Sequence, residues 1–415
     1  MPTRGQTIFL CTLALLVIGV VMVNSAGMVV RPVPQGVAGF DAVAQGGLLD
    51  TRTIVTSRSS VYLVIAVFAM GATAMLPVGA IGRRLVPPAH APAGYAYAGL
   101  GLGAAALIAL LATVYLPGIG RTVNGSARWV ALPVAGSVQP SEFAKWLIVP
   151  LMAWYAAAMG GRLGRFMTGL LPAVVAGGAV AAFVVIEDLG TGVLIGAGVS
   201  LLLLAAGAKF LHFLMFLPPA ALGVFVAILE SPYRLERVLS FFNPFADPRG
   251  SGYHMIQSMS TVAGGGLAGR GLGHGLQKFG YLPEDTTDFL FAIICEESGI
   301  AGAATIIALY ILLAWAMVGV IRDQRTPVLR TITVGVLAML ICQAMINLLV
   351  VTGLGPTKGI ALPMLSSGGT GWVLTAASLG LVIAIDRDAR RQRSEAGFEG
   401  QFEDDRAGEP RLAPA

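Results

Sequence analysis

The sequence predicts an all-helical polytopic membrane protein of about ten transmembrane helices, and three observations predict it. Ten apolar runs each approach or exceed the roughly 20 residues that cross a hydrocarbon core about 30 Å thick. Only 12% of the 415 residues are charged against 56% hydrophobic, and mean hydropathy is +0.78, where a soluble domain carries roughly 25% charged residues. Lys and Arg recur in every second connection between the runs, as a membrane chain with one cytoplasmic side requires.

The runs lie at 7–30, 60–81, 93–116, 143–160, 167–186, 189–207, 210–229, 289–320, 328–353 and 370–386. The first is long, continues through Val29 and Val30, and is followed by further runs, so it reads as a helix rather than a cleaved leader. With the N-terminus inside, the cytoplasmic connections hold Arg83 and Arg84, Arg162 and Arg165, Lys209, then Arg322 and Arg325. An even helix count brings Arg387, Arg390, Arg391 and Arg393 to the same side. A membrane domain over 1–386 and a cytoplasmic tail over 387–415 follow, the tail expected to be disordered because it is polar and poor in apolar residues from Ser394 onward.

A formal charge of +5 does not indicate nucleic acid, because the cations are dispersed between apolar runs. Cys11, Cys295 and Cys342 lie in apolar runs without disulfide or metal spacing. His90, His212, His254 and His274 form no ligand pair on a helix face, and none carries a catalytic role by sequence.

The outer connections are long and rich in Pro, Gly and polar residues: 31–59, 117–142, 231–288 and 354–369. The third also carries Arg234, Arg237, Arg249, Arg270 and Lys278, on the side that should be poor in cations. A connection of that length is usually functional or disordered, and its aromatic and Gly/Pro content predicts an ordered, functional loop. Gly264, Gly266 and Gly269 match a dinucleotide fingerprint only formally, since no strand precedes them. The glycine-rich stretch 264–275 predicts either backbone amides approaching an anion or a loop lying flat on the membrane.

Ionisable residues also enter the apolar runs: Glu142 and Lys145, Glu187 and Asp188, Glu296 and Glu297. Each costs at least about 2.5–3.5 kcal/mol to insert unless it pairs or lines a polar path. A Lys145 ion pair with Glu296 or Glu297 and a substrate-facing role both satisfy that constraint. Asp288, just before the eighth run, suits an N-cap; it equally suits a general base whose pKa burial would raise from about 3.9.

Taken together these residues resemble the FtsW/RodA/SpoVE (SEDS) family. The resemblance rests on Ser126-Ala127-Arg128-Trp129, Gln139-Pro140-Ser141-Glu142-Phe143-Ala144-Lys145, and Asp188-Leu189-Gly190-Thr191. It continues through Tyr281-Leu282-Pro283-Glu284, Thr287-Asp288-Phe289 and Gly359-Ile360-Ala361-Leu362-Pro363 with Gly368-Gly369. The motifs run in order from Ser25-Ala26 to about Asp386. Phe242-Asn243-Pro244-Phe245, Gln277-Lys278 and Pro356-Thr357-Lys358-Gly359 are most similar to the FtsW branch. Ile186-Glu187 replaces the family's usual Gln-Pro, His254 stands where Gln is typical, and Ser366-Ser367-Gly368-Gly369-Thr370 lacks the family's Tyr.

The resemblance implies an inverting peptidoglycan glycosyltransferase of cell division in the bacterial cytoplasmic (inner) membrane, its active site facing outward, polymerising lipid II. It implies a class B penicillin-binding protein transpeptidase and other divisome membrane proteins as partners, alongside membrane lipid and no nucleic acid. It marks Asp288 as essential and Trp129 as important. A diphosphate leaving group calls for cationic donors, for which Lys145, Arg234, Arg270, Lys358 and Arg128 are the candidates, or for a divalent cation, magnesium or manganese. Glu142, Asp188, Glu284 and Ser366, in the same motifs, complete the expected substrate-binding set. The alternatives are a RodA-like elongation polymerase, a lipid II flippase, and a scaffold that only recruits a transpeptidase.

Overall fold

A computed structural model describes residues 2–27, 51–85, 92–123, 126–132, 136–278, 281–284, 286–367 and 369–408. Most of the expected outer connection 31–59, the Val29-Val30 extension, Gly368 and the last seven residues of the expected tail lie outside the described residues.

Each of the ten apolar runs forms a helix. They are α1 (Arg4–Ala26), α3 (Arg58–Ala74), which continues into α4 (Val78–Leu85), α5 (Ala93–Ala112), α6 (Pro140–Met159) and α7 (Leu171–Glu187). Then come α8 (Leu189–Ala205), α9 (Phe210–Leu229), α12 (Leu290–Asp323), α13 (Pro327–Val351) and α14 (Thr370–Gly408). Short helices α2 (Thr51–Val55), α10 (Pro232–Phe242) and α11 (Tyr253–Gly264) fill the connections. Among the described residues, eight helices have the length and apolarity to cross a membrane, so the chain is a multi-pass membrane protein.

The remaining two runs depart from simple spans for local reasons. Pro77, which lacks an N–H and disfavours helix at Leu76, interrupts the second run, and α4 turns 62° from α3. The 17-residue α8 rises only about 26 Å at 1.5 Å per residue. The final helix does not stop near Asp386; it continues to Gly408, through the first part of the segment expected to be an irregular tail.

The connection 117–142 holds a second departure from a purely helical reading: an antiparallel sheet of β1 (Gly120–Val123), β2 (Ser126–Leu132) and β3 (Gly136–Val138), with Arg121 opposite Trp129 and Val130 opposite Val138. Glu187, at the end of α7, ties the sheet to the bundle. Its carboxylate accepts from Ala127 N at 2.8 Å and Tyr115 Oη at 2.9 Å, while Arg128 Nε donates to its carbonyl at 2.9 Å.

The expected ion pair between Lys145 and Glu296 or Glu297 does not form. Lys145 instead donates to Glu142 at 2.7 Å and Gln343 at 2.9 Å. The two glutamates turn away from it because they hold the glycine-rich connection. Glu297 accepts from Gly273 N at 3.1 Å and Lys278 Nζ at 2.8 Å, and Ser25 Oγ donates to it. Glu296 accepts from Leu276 N at 3.0 Å and pairs with Arg270. The glycine amides do approach an anion, and that anion is the chain's own. Contact is close enough that a β-carbon at Gly269 would lie 2.2 Å from Glu297 O, and Gly299, at φ +63°, breaks α12 to admit the loop.

The two ends of the bundle differ in charge chemistry. At one end Arg4 and Arg393 both pair with Asp323, Asp386 Oδ2 accepts from Gly5 N at 3.1 Å, and Arg387 donates to Leu76 O at 2.9 Å. Asp323 closes α12, whereas Asp288 sits just before its start, so these contacts and Asp288 lie at opposite ends of that 34-residue helix.

Candidate functional site

A cavity of about 1080 Å³ opens at the Asp288 end, between the helix ends and the connections. Of the residues the sequence singled out, it brings together Asp288, Trp129, Arg128, Glu142, Asp188, Arg234, Glu284, Lys358 and Ser366 along its walls. Lys145 stands behind the wall, fully buried, and reaches the cavity only through Glu142 and Gln343. Arg270 is not part of the cavity lining: its backbone N–H donates to Glu296 O and its side chain pairs with the same residue, on the glycine-loop side of α12.

Asp288 does not cap α12. The cap position is Phe289, and no side chain bonds the first-turn amides. The reason lies in the backbone around it. Glu284, at φ +56°, starts a tight turn in which its carbonyl accepts from Phe289 N at 3.2 Å, and Thr287 Oγ1 donates to its carboxylate at 2.8 Å. That turn leaves the Asp288 carboxylate among the cavity-lining groups rather than on the helix. The Lys358-Gly359 connection comes so near that a β-carbon at Gly359 would lie 3.1 Å from Asp288 Oδ2.

Burial pushes the Asp288 pKa up to about 7, with Glu284 and Asp188 adding to the rise and Arg237 and Arg128 opposing it. A carboxyl so placed is part ionised at neutral pH, where a general base works best. Burial also lowers the Lys358 pKa, against the pull of Asp188.

The cations differ in what they have left to offer. Arg234 spends its guanidinium on three backbone carbonyls, Ala227 at 3.1 Å, Val185 at 3.0 Å and Ile186 at 2.8 Å, so it splices α10 to the ends of α7 and α9. Arg237, which sequence reasoning did not select, donates to Thr357 O at 3.2 Å and stacks over the Tyr233 ring. Arg128 lies 3.8 Å from Asp188, whose carboxylate also caps α8 through Thr191 N at 3.1 Å and accepts from Thr191 Oγ1 at 2.9 Å. The Lys358 side chain makes no hydrogen bond or ion pair with another described residue and lines the cavity, within the electrostatic reach of Asp188. Ser366 is committed to local structure: its hydroxyl accepts from Leu362 N at 2.9 Å.

Two further residues hold the site and were not selected from the sequence. Gln343 links Lys145 to the carbonyl of Ala361 at 2.8 Å, and Asn347 donates to both Asp288 O and Ile360 O. Their signal was present as two amides four residues apart, on one face of an apolar helix.

Fold and cavity together define a helical multi-pass membrane protein with a polar, carboxylate-bearing chamber at one end of its bundle. The chain belongs to the FtsW/RodA/SpoVE family, whose model, described as "Cell cycle protein", matches residues 6–391. It is 39% identical over 285 residues to stage V sporulation protein E of Bacillus subtilis (strain 168), covering 68% of this chain and 77% of that one. To a probable peptidoglycan glycosyltransferase FtsW of Allochromatium vinosum it is 36% identical over 299 residues, covering 71% and 74%. Among solved structures it resembles a chain from a peptidoglycan synthase complex that coordinates polymerization and crosslinking, with TM-score 0.65, 28% identity, and 92% and 97% of the two chains covered. The Thermus thermophilus rod shape determining protein RodA shares the fold, at TM-score 0.55, 23% identity, and 92% and 96% coverage.

Proposed function

We propose that this chain is a peptidoglycan glycosyltransferase that polymerises lipid II into glycan strands during cell division. The observation that carries the reading is Asp288: a carboxyl poised near neutrality, in a chamber large enough for sugars that also holds a lysine whose side chain makes no hydrogen bond or ion pair with a described residue.

In the proposed reaction the 4-hydroxyl of the acceptor's terminal GlcNAc attacks the anomeric carbon of the donor. The bond from that carbon to the undecaprenyl pyrophosphate oxygen breaks, with inversion. Asp288 takes the hydroxyl proton, a role that typically accelerates reaction by about 10²–10⁴. Lys358 meets the departing diphosphate, with the remaining N–H groups of Arg128 and Arg237 as further donors. Trp129 offers an indole face and edge beside the sugars.

Among the described residues no three His, Cys, Asp or Glu side chains cluster into a ready cation site. Magnesium commonly needs only one or two carboxylates plus substrate phosphates, and Asp188 or Asp288 could supply them. Magnesium or manganese held there would neutralise charge on the diphosphate.

Two further features belong to this reading. The Arg-rich contacts around Asp323 and Asp386 suit the cytoplasmic side, which turns the chamber outward from the bacterial inner membrane. The likeness to a chain of a synthase complex supports a class B penicillin-binding protein as the partner that crosslinks the strands.

The test is polymerisation of lipid II by the purified protein with its partner. Wild type should make glycan strands and D288A none. No polymer from either, with headgroup translocation in liposomes intact in both, would instead establish a flippase.

A further inference from the structure

The chamber lining contains an imidazole that the proposed chemistry does not use. His254 lies in the first turn of α11, half-buried, and lines the same chamber as Glu284 and Asp288. Its ring stacks on Phe289, with centroids 6.2 Å apart and planes at 28°, and meets Tyr253 edge-on at 6.4 Å. Phe289 directly follows Asp288, so the stack holds the imidazole on the general base's side of the chamber. The helix that carries it is anchored independently, through buried Met255, Ser258 and Thr261 and a 2.7 Å bond from Ser258 Oγ to Val351 O.

Neither ring nitrogen of His254 hydrogen-bonds another described residue. A polar group that is stacked in place, faces a chamber, and leaves both polar atoms unused is arranged to serve a ligand. Burial and the Arg237 guanidinium lower its pKa, with Glu284 opposing, so at neutral pH the ring is uncharged. Neutral imidazole offers one donor and one acceptor, which matches a sugar hydroxyl or an acetamido group and suits a diphosphate poorly.

We infer that His254 is a substrate-contacting residue, hydrogen-bonding a hydroxyl or acetamido group of the bound sugar next to Asp288. This rests on the glycosyltransferase reading. It assigns the ring to binding rather than to proton transfer, which stays with Asp288.

Three variants of the full-length protein test it, each measured with lipid II as probe: H254A, H254F and H254Q. H254F keeps the stack on Phe289 without the nitrogens, and H254Q keeps a donor and an acceptor without the ring. H254A and H254F should both raise KM about three- to tenfold, the usual worth of one hydrogen bond, at unchanged melting temperature. H254Q should recover most of that loss. Wild-type behaviour of H254F would mean that the ring only packs and would overturn the inference, as would wild-type behaviour of H254A, or H254Q as impaired as H254A. Lipid II binding, followed by the fluorescence of Trp129 and Trp372 in the chamber wall, separates the two readings. If wild type makes no polymer the enzyme reading fails, while weaker binding by H254A and H254F than by wild type would still uphold the contact, and equal binding would sink it.

Discussion

Asn347 binds Asp288 by its backbone. The side-chain amide of Asn347 donates to Asp288 O at 2.7 Å and to Ile360 O at 2.7 Å, so one buried residue of α13 fastens the turn bearing the carboxylate to the connection bearing Lys358. The distance between the groups that would take a proton and meet a diphosphate is thereby set from behind the chamber.

Removing that fastening should cost turnover more than binding. Asn347→Leu leaves the carboxylate and the lysine in place but frees their backbones, and displacements of about 1 Å can cost 10²-fold in rate. The expected result is a kcat about 10- to 100-fold lower with KM changed less than about threefold, read from initial rates of strand formation across a lipid II titration.

Asp288 makes opposite demands on activity and stability. A base with pKa about 7 loses activity as pH falls through 7, so kcat/KM should rise to a plateau above about pH 8. The same raised value means that the folded state holds the proton more tightly than the unfolded one. Stability from this group is therefore present below its unfolded pKa near 3.8 and lost as pH rises through 7. D288N should abolish polymerisation and raise the melting temperature at pH 8, with a smaller gain at pH 5 and none below about pH 3.8; a lower melting temperature at pH 8 would contradict the burial argument.

Lys358 and Arg234 should separate cleanly, although both are cations of the same chamber. K358A removes a side chain that makes no hydrogen bond or ion pair with a described residue and should raise KM for lipid II at least about tenfold without thermal destabilisation. R234A strands three backbone carbonyls, each costing about 1–3 kcal/mol if left unsatisfied, and should lower the melting temperature by several degrees. Thermal denaturation alongside substrate titration distinguishes the two patterns.

The pair of Lys278 and Glu297, with both side chains fully buried, offers a further test of position against charge. Deleting one partner of such a pair typically costs about 3–5 kcal/mol because the other charge remains. K278M should loosen the 264–278 connection and expose it to proteolysis. Adding E297Q should restore part of the loss, so that the double variant is more resistant to cleavage than K278M alone.

The sequence made much of this legible because a bilayer is a strict solvent. Every apolar run became helical over its described residues, since a chain in hydrocarbon must satisfy its own backbone, and nine of the eleven residues singled out for the site meet in one chamber. Where the reading went astray, competition between elements decided the partner. Lys145 fits Glu296 or Glu297 on composition, but the glycine-rich connection takes both glutamates, and Lys145 meets Glu142 one turn away on α6. Arg270 belongs among outer cations by its connection, yet the glycines beside it let the chain close on α12 and deliver it to Glu296.

By itself, then, the amino-acid order determined that the chain lives in a membrane, where most of its helices begin and end to within a few residues, the broken second run and the long last helix excepted, and which acidic and basic groups were too costly there to be idle. Those are consequences of local hydrophobicity and of the price of burying charge. Only the tertiary structure decided which cation side chain stays uncommitted among the described residues, that Asp288 faces a chamber instead of capping a helix, that Asn347 holds its backbone, and that His254 lines the same chamber. Those outcomes depend on directional contacts a few ångströms long between residues up to hundreds of positions apart, and no local pattern encodes them.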